Sequence, residues 1–577
     1  MFIHSLIFTT LLVGSDFSLD KTLPDTAIAL LETDNLNETF ESLEDIGLCS
    51  FICETLFQGD PFEIMGTTKE EFMSAVNLPG EESLATPNGY GALALYPVVD
   101  YEIGSVALGA LFTVELKNDN WANAIDKHIE KIDGNNLTIE SVRLLDRKVW
   151  MISSENSISL STGAEQFGLG IDSISNFYLG TSDGYLVGCT EPDAMASFYS
   201  FLDGENIDQP LVDNETYQAV KSKIKSDDNH ATSVVMLENL ADAMMQMDSS
   251  GMMMMISPMA KSLIGDIDAI AQSSNFNALD DMSMEMTTGI QMNNGRSGLL
   301  GLITDSDNSS KVATQIDDAT LYYFTMDVDF KSLPNLFQNI VDQNPMISMQ
   351  IGDQMEQIQS TMKLYSECFG QKLIYKSSEI VSGEVVETLI AIECINDKQL
   401  NNLLTMMLPT IGAEPIDFLG YQTYYMDFSD SMPFMMPSAI DLSMTMASAG
   451  GYLYIGNTSM VQQALRSVAN PKEEYGDLAS NNAVLNAVSK DLSGWGYGQV
   501  VKSMEIQMKL DNQMSEAMFD DMEIFDPEMA AEFRKEYEES QKSSQQLFNV
   551  MKSFMNSMSW QLDIEEDGFV SKVYMSN

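Results

Sequence analysis

Histidine is nearly missing from this chain of 577 residues, which holds three. Beyond His4 only His128 and His230 remain, the first among Lys and Glu on an expected helix, the second in a polar loop. Both read as solvated side chains. Ser-His-Asp and Cys-His catalysis each need a histidine held by an oriented partner, and neither has a recognisable motif around it. A Walker loop, GxGxxG after a strand, HExxH and CxxC are also missing. The chain therefore reads as non-enzymatic, with no catalytic or cofactor-binding residue and no cofactor to assign.

Positive charge is scarce as well. Lys and Arg number 29 against 86 Asp and Glu, a formal net charge of −57. Such a surface repels phosphate backbones, which excludes nucleic acid as a partner and disfavours an anionic bilayer. The acids are spread along the chain, so most form a solvated face. A Ser/Lys or carboxylate-pair hydrolase is a third-rank reading, because the acids offer no basis for choosing a pair.

Cysteine is sparse and odd in number: Cys49, Cys53, Cys189, Cys368 and Cys394. No dense disulfide framework staples the fold. Cys49 and Cys53, four apart on an expected helix, would need further ligands to hold a metal. Burial as small apolar side chains is the simpler reading.

Long hydrophobic runs are missing too. Residues 251–264 are too short for a membrane span and carry Pro258 and Lys261. The exception is the start of the chain, where residues 6–13 (LIFTTLLV) precede Gly14-Ser15. Residues 1–18 therefore read as an export signal, although the positive n-region of such signals is absent. After its removal no transmembrane segment is expected, and the protein is placed as secreted, periplasmic or in the cell envelope.

What the chain does contain is a repeat. Residues 110–119 read ALFTVELKND and residues 388–397 read TLIAIECIND, with Glu115 and Glu393 in register at an offset of 393 − 115 = 278. In the same order, 25–36 pairs with 318–330, 93–96 with 373–375 and 146–151 with 421–426. Then 184–188 pairs with 451–456, 211–220 with 478–488 and 282–302 with 557–574. Length exceeds one core, and the repeat resolves it into two tandem units, 19–310 and 311–577.

Within the first unit a strand over 27–32 precedes a helix bearing Leu36, Phe40, Leu43 and Phe51. Strands follow at 89–97 and 105–116. Asp119 then caps a helix with Trp121, Ile125, Ile129 and Ile132 on one stripe. The counterpart of that helix starts at Asp397 and presents Leu400, Leu403, Leu404 and Met407. Strands at 141–145, 149–153 and 184–189 come next, with Thr190 as a cap before Glu191-Pro192. Each unit closes with a helical insert, 237–273 or 505–555, and a final strand pair. The expected class is α+β: two homologous units, each a largely antiparallel sheet packed with helices.

Two features suggest ligands. Residues 203–208 (DGENID) and 305–308 (DSDN) are rich in oxygen donors, but neither matches an EF-hand loop, and acidic surface loops are the plainer reading. The 42 Met cluster at Met244/Met245/Met247, 252–255, Met282/Met284/Met286 and Met432/Met435/Met436. Thioethers bind Cu(I), yet Met more often fills a core or lines a pliable apolar groove. Sequons stand at Asn37, Asn136, Asn214, Asn308 and Asn457, and matter only in a eukaryotic secretory host.

The Leu23-Pro24-Asp25-Thr26 opening, the GYLVG strand at 184–188 followed by Thr-Glu-Pro, and the PLVDNETYQAV segment at 210–220 together form a pattern. It resembles large secreted or envelope proteins of bacteria grouped as a family of unknown function. The resemblance spans most of the chain through short motifs. It implies an exported, duplicated α+β protein and carries over no catalytic residues. The expected function is that of an exported, acidic binding or cell-envelope protein. The alternative is a carrier of a lipid, peptide or metal ion on Met-rich grooves. The expected partner is an unknown protein or a small apolar ligand.

Overall fold

The computed structural model describes residues 18–34, 90–100, 105–115, 137–158, 174–205, 207–225, 231–247, 252–275, 284–305, 316–317, 319–343, 348, 354–379, 386–427, 443–470, 484, 487–488, 493–525 and 527–576. Among these lie twenty strands and ten α-helices, an α+β composition. The chain divides into two compact units. The first comprises 1–257, 267–277 and 286–294, and the second 258–266, 278–285 and 295–577.

In the first unit β1 (Ala29–Thr33), β2 (Gly91–Asp100), β3 (Ser105–Glu115), β4 (Leu137–Leu144), β5 (Arg147–Ile158), β6 (Ile174–Ser182) and β7 (Tyr185–Cys189) precede α1 (Pro192–Leu202) and α2 (Glu215–Lys223). Then come β8 (Ala231–Met236), α3 (Leu237–Met247), α4 (Met252–Leu263), β9 (Ala269–Asn275) and β10 (Met284–Gln291). Antiparallel pairing runs β4–β5–β6–β7–β3–β2–β1–β8–β9, and β10 lies beside β9. Period-two alternation sets the faces. Leu30, Ala94, Leu111, Val187 and Cys189 point to the side where Met195, Phe198 and Tyr199 of α1 and Tyr217 and Val220 of α2 complete a core. Small Ala92 and Ala94 leave room there for the large aromatic rings of the helices.

The second unit holds β11 (Thr320–Asp327), α5 (Leu333–Gln343), α6 (Met355–Ser366), β12 (Phe369–Glu379), β13 (Val386–Cys394), α7 (Asp397–Met407), β14 (Glu414–Phe418), β15 (Tyr421–Asp427), β16 (Ser443–Ala449) and β17 (Tyr452–Gly456). It continues with α8 (Thr458–Ala469), β18 (Gly494–Gln499), α9 (Val500–Phe525), α10 (Pro527–Phe554), β19 (Ser557–Glu565) and β20 (Gly568–Ser576). Its antiparallel order is β14–β15–β16–β17–β13–β12–β11–β18–β19–β20. Both faces are packed. Tyr454 joins Met460, Val461 and Leu465 of α8 on one side. Its neighbour Leu453 joins Leu400, Leu403 and Leu404 of α7 on the other.

Two-residue turns with left-handed backbone close four of these hairpins, at Leu145-Asp146, Asp183-Gly184, Leu419-Gly420 and Gly450-Gly451. Two successive positive φ values match the twist of the flanking strands.

Several expectations shift. α7 does start at Asp397, and its cap is the preceding Asn396, whose side chain accepts from the Gln399 N–H. Thr190 caps no helix, because its hydroxyl accepts instead from the Ala110 N–H at 3.0 Å. The insert at 237–273 is helical only through α4 and ends in β9. The closing strand pair of the first unit is β9 with β10. Beyond Asn293-Asn294-Gly295 the chain forms a 3-10 turn at Leu300–Leu302, where Gly295 and Gly298 hold positive φ and bend it out of extended form. The helices expected over 36–51 and 119–132 lie outside the described residues.

Candidate functional sites

The densest cluster of ionisable groups lies in the first unit. Asp20 sits in the 3-10 turn Leu19–Lys21, Glu32 faces inward from β1, and Tyr217 and Lys221 stand one turn apart on α2. The Lys221 ammonium donates to Asp20 Oδ2 at 3.0 Å, Glu32 Oε2 at 2.9 Å and the Tyr217 hydroxyl at 2.7 Å. Tyr217 donates to Asp20 at 2.9 Å, and Tyr90 donates to Glu32 Oε1 at 2.7 Å. The Ser18 hydroxyl reaches both carboxylates. Burial pushes the Asp20 carboxyl up, but Lys221 and the Ser18 and Tyr217 hydroxyls outweigh it and hold the group below its usual range. Burial likewise pulls Lys221 down, and the two carboxylates more than reverse that. Burial, Glu32 and Asp20 raise the Tyr217 hydroxyl far above its ordinary value. These groups satisfy one another, so the cluster binds residues 18–22 to β1 and α2.

A second cation, Arg147, meets Asp203 through two bonds of 2.7 Å and Asp183 at 3.1 Å, and lies 4.9 Å from the Tyr199 ring centroid. Asp203 opens the oxygen-rich stretch 203–208. Both of its oxygens serve Arg147, whose hydrogen bonds hold its carboxyl below the usual range. Asn206 of that stretch lies outside the described residues. In the second stretch Asp305 accepts from the Ser493 hydroxyl at 2.6 Å, while 306–308 lie outside the described residues. In the second unit Lys372 pairs with Asp327, both buried, Lys376 with Asp317 at 3.1 Å and Lys502 with Glu379 at 2.7 Å. Among the described residues no group of three or more His, Cys, Asp or Glu is placed to hold a metal ion.

Glu115 and Glu393 end their strands differently. Glu393 Oε2 accepts from the N–H groups of Gln371 at 2.9 Å and Lys372 at 3.3 Å. Gly370 lies beneath it, where a Cβ would come within 2.1 Å of that oxygen. Glu115 Oε2 is buried without a hydrogen-bond partner, as is Thr113 Oγ1 two residues earlier on the same face of β3. Burial pushes the Glu115 carboxyl up to about 7. Sequence reasoning matched these two Glu but carried no signal that separates them.

Cys189, Cys368 and Cys394 are free and buried. Burial pushes the Cys189 and Cys394 thiols up to about 12 and raises Cys368, which suits inert core positions rather than nucleophiles. Cys49, Cys53, His128 and His230 lie outside the described residues. Among the Met clusters, Met244, Met245 and Met247 are half-buried on α3 and Met254 is exposed. Met286 Sδ accepts from Gln272 Nε2 at 3.1 Å within the sheet. Met282, Met432, Met435 and Met436 lie outside the described residues. Of the sequon residues, Asn214 caps α2 and Asn457 accepts from the Thr388 N–H at 2.9 Å; Asn37, Asn136 and Asn308 lie outside.

What the second unit does present is apolar surface. Ile395, Met406, Ile411, Ile416 and Leu419 are 58%, 65%, 69%, 47% and 57% exposed within one continuous segment from the end of β13 to the β14–β15 turn. No helix among the described residues is long and apolar enough to cross a membrane. In comparisons with known proteins, no family model, no curated protein and no solved structure matches the chain.

Proposed function

We propose that this chain is an exported, non-enzymatic binding or cell-envelope protein built from a duplicated α+β unit. The single observation that carries the binding role is the exposed apolar segment from Ile395 to Leu419. Isolated exposed Leu or Ile residues are ordinary; five large apolar side chains exposed within residues 395–419 are what supports an interaction role. Duplication draws support from the strand orders. In each unit the first strand lies between the second strand and the strand that precedes the closing hairpin. Glu115 stands opposite Tyr185 and Glu393 opposite Tyr452. Export rests on the apolar run at 6–13 and on a net charge of −57 that keeps such a surface soluble.

The test is native mass spectrometry of the protein purified from its own host, with metal analysis of the same sample and fractionation of the cells. Recovery outside the cytoplasm with a protein partner, or in the cell-surface fraction, supports this reading. Recovery in the cytoplasm overturns export. A stoichiometric lipid, peptide or copper ion would replace the reading with that of a carrier.

A further inference from the structure

We propose that one face of the second unit's central strands binds a flat, uncharged polysaccharide on a row of aromatic rings. The row follows from the strand register. Ile390 of β13 stands opposite Tyr375 of β12, Tyr375 opposite Phe324 of β11, Phe324 opposite Gly496 of β18, and Gly496 opposite Trp560 of β19. Directly opposed residues share a face, so these positions form one line across five strands. Adjacent strands lie about 4.8 Å apart, which makes the line about 19 Å long. Ile390 and, in the next row, Tyr322 are 37% exposed, while Phe324, Tyr375 and Trp560 are half-buried.

Glycine in β18 shapes this surface. A Cβ on Gly496 would lie 2.2 Å from Trp560 Nε1, and one on Gly494 3.5 Å from its Cζ3, so the indole spans both glycines along the strand. A Cβ on Gly498 would come within 2.8 Å of the Tyr322 ring. Phe324 and Tyr375 stack at 5.1 Å, and Phe324 lies 6.3 Å from Trp560. On the matching strands of the first unit the same face carries Leu93, Leu31, Ser233 and Gln272, which offer no ring.

The occupant follows from charge and from ring chemistry. The rows on either side, from Ile392 to Leu562 and from Thr388 to Met558, hold no charged residue. Beyond them Glu379 is neutralised by Lys502 at 2.7 Å. A polyanion is repelled by the net charge of −57, and a cation finds no unpaired carboxylate on these rows, so the face suits a neutral ligand. A sugar ring turns a flat face of C–H bonds to the negative face of an aromatic ring. Its hydroxyls meet the polar edges of the rings, the Trp560 N–H and the Tyr322 and Tyr375 hydroxyls. The Ser377 hydroxyl, opposite Tyr322 on the same face, is buried without a hydrogen-bond partner and is a further unmet polar group. A proline-rich strand is the other neutral polymer that aromatic grooves take. It needs gaps between rings, and the Phe324–Tyr375 stack closes the central one.

The inference goes beyond the binding role drawn from residues 395–419 and uses other side chains, so the two stand or fall separately. The experiment is calorimetric titration of the full chain with cellohexaose, a neutral glucose oligomer with a flat, extended backbone, and with oligoproline. The expected result is saturable binding of cellohexaose, with a shift in tryptophan emission, and none of oligoproline. W560L, which keeps an apolar side chain over Gly496, should bind cellohexaose at least about tenfold more weakly, about 1.4 kcal/mol, and lose the emission shift. Y322A should weaken binding at least about threefold. L31S, on the matching face of the first unit, should bind as the wild type does. No binding of cellohexaose up to about 10 mM overturns the proposal, as does preference for oligoproline or an equal loss in L31S. Y322A removes a part-exposed ring, and its unchanged circular dichroism and melting keep the test valid where W560L fails to fold. A chain that copurifies with a protein partner yet ignores cellohexaose keeps its binding role and loses this surface.

Discussion

Replacing Lys221 with Met removes one positive charge from between two carboxylates and leaves the helix and its apolar stem in place. Asp20 and Glu32 side chains are 5% and 9% exposed. Without Lys221 each is a buried anion beside another anion, and in the chain without residues 1–18 the Tyr90 and Tyr217 hydroxyls are left to hold them. Breaking a buried pair by removing one partner costs about 3–5 kcal/mol. Lys221 itself is 35% exposed, so water shares part of its work and the lower end, about 3 kcal/mol, is the expectation. The assay is urea unfolding across pH. The Asp20 carboxyl is held low in the folded wild type, so its contribution is present above its ordinary range and disappears as pH falls through the folded value. In K221M the lowering by Lys221 is gone while burial remains, so the loss relative to wild type should shrink as pH falls. The gap between the two proteins should be widest near pH 7 and narrow in acid. K221M within about 1 kcal/mol of wild type near pH 7, with no pH dependence of the gap, would refute the reasoning.

Two further perturbations follow from the site geometry. The Glu115 carboxyl titrates at about 7 in the fold, so the fold favours its neutral form. That stability is present below the ordinary Glu range and is lost as pH rises through about 7. E115Q should match wild type near pH 4 and exceed it by up to about 1 kcal/mol near pH 8, after discounting for the part-exposed side chain; a gain confined to low pH would contradict this. In β18, a Cβ on Gly496 would lie 2.2 Å from Trp560 Nε1. G496A should therefore cost about 1–3 kcal/mol and alter tryptophan fluorescence, with W560L restoring most of the stability; a neutral G496A with an unchanged spectrum would show that the Trp560 ring moves aside freely.

Much of the strand framework is legible in the residues. The short apolar runs in 29–33, 91–97 and 105–115 announce β1, β2 and β3, although they do not tell the faces apart: in β1 Leu31 is exposed and Glu32 buried. The stripe of Leu400, Leu403 and Leu404 announces α7 by its period of 3.6. β18 is not legible. Its sequence, GWGYGQ, spends every second position on glycine, which lacks the β-branched signal of a strand, and here gives Trp560 and Tyr322 room to lie across the sheet. The closing pair of the first unit was displaced because the Asn-Asn-Gly turn is a hairpin signal in composition, while Gly298 and Leu299 carry the chain into a 3-10 turn instead. The Asp20–Glu32–Lys221 cluster was invisible because Lys221 is 189 residues from Glu32 and 201 from Asp20. Nothing local distinguishes those three from the other charged residues, and only the pairing of β1 and the seating of α2 bring them together.

The place of β1 in its sheet has a consequence for biosynthesis. It lies between β2 and β8, with Ala29 opposite Val235, residues separated by 235 − 29 = 206 positions. A nascent chain emerges from its amino end, so one long edge of β1 stays vacant until more than two hundred further residues have appeared. Pairings of such range are slow to form and leave unfinished edges open to other chains. Under the export proposed above, the same delay would keep the first unit unfolded until β8 had crossed with it.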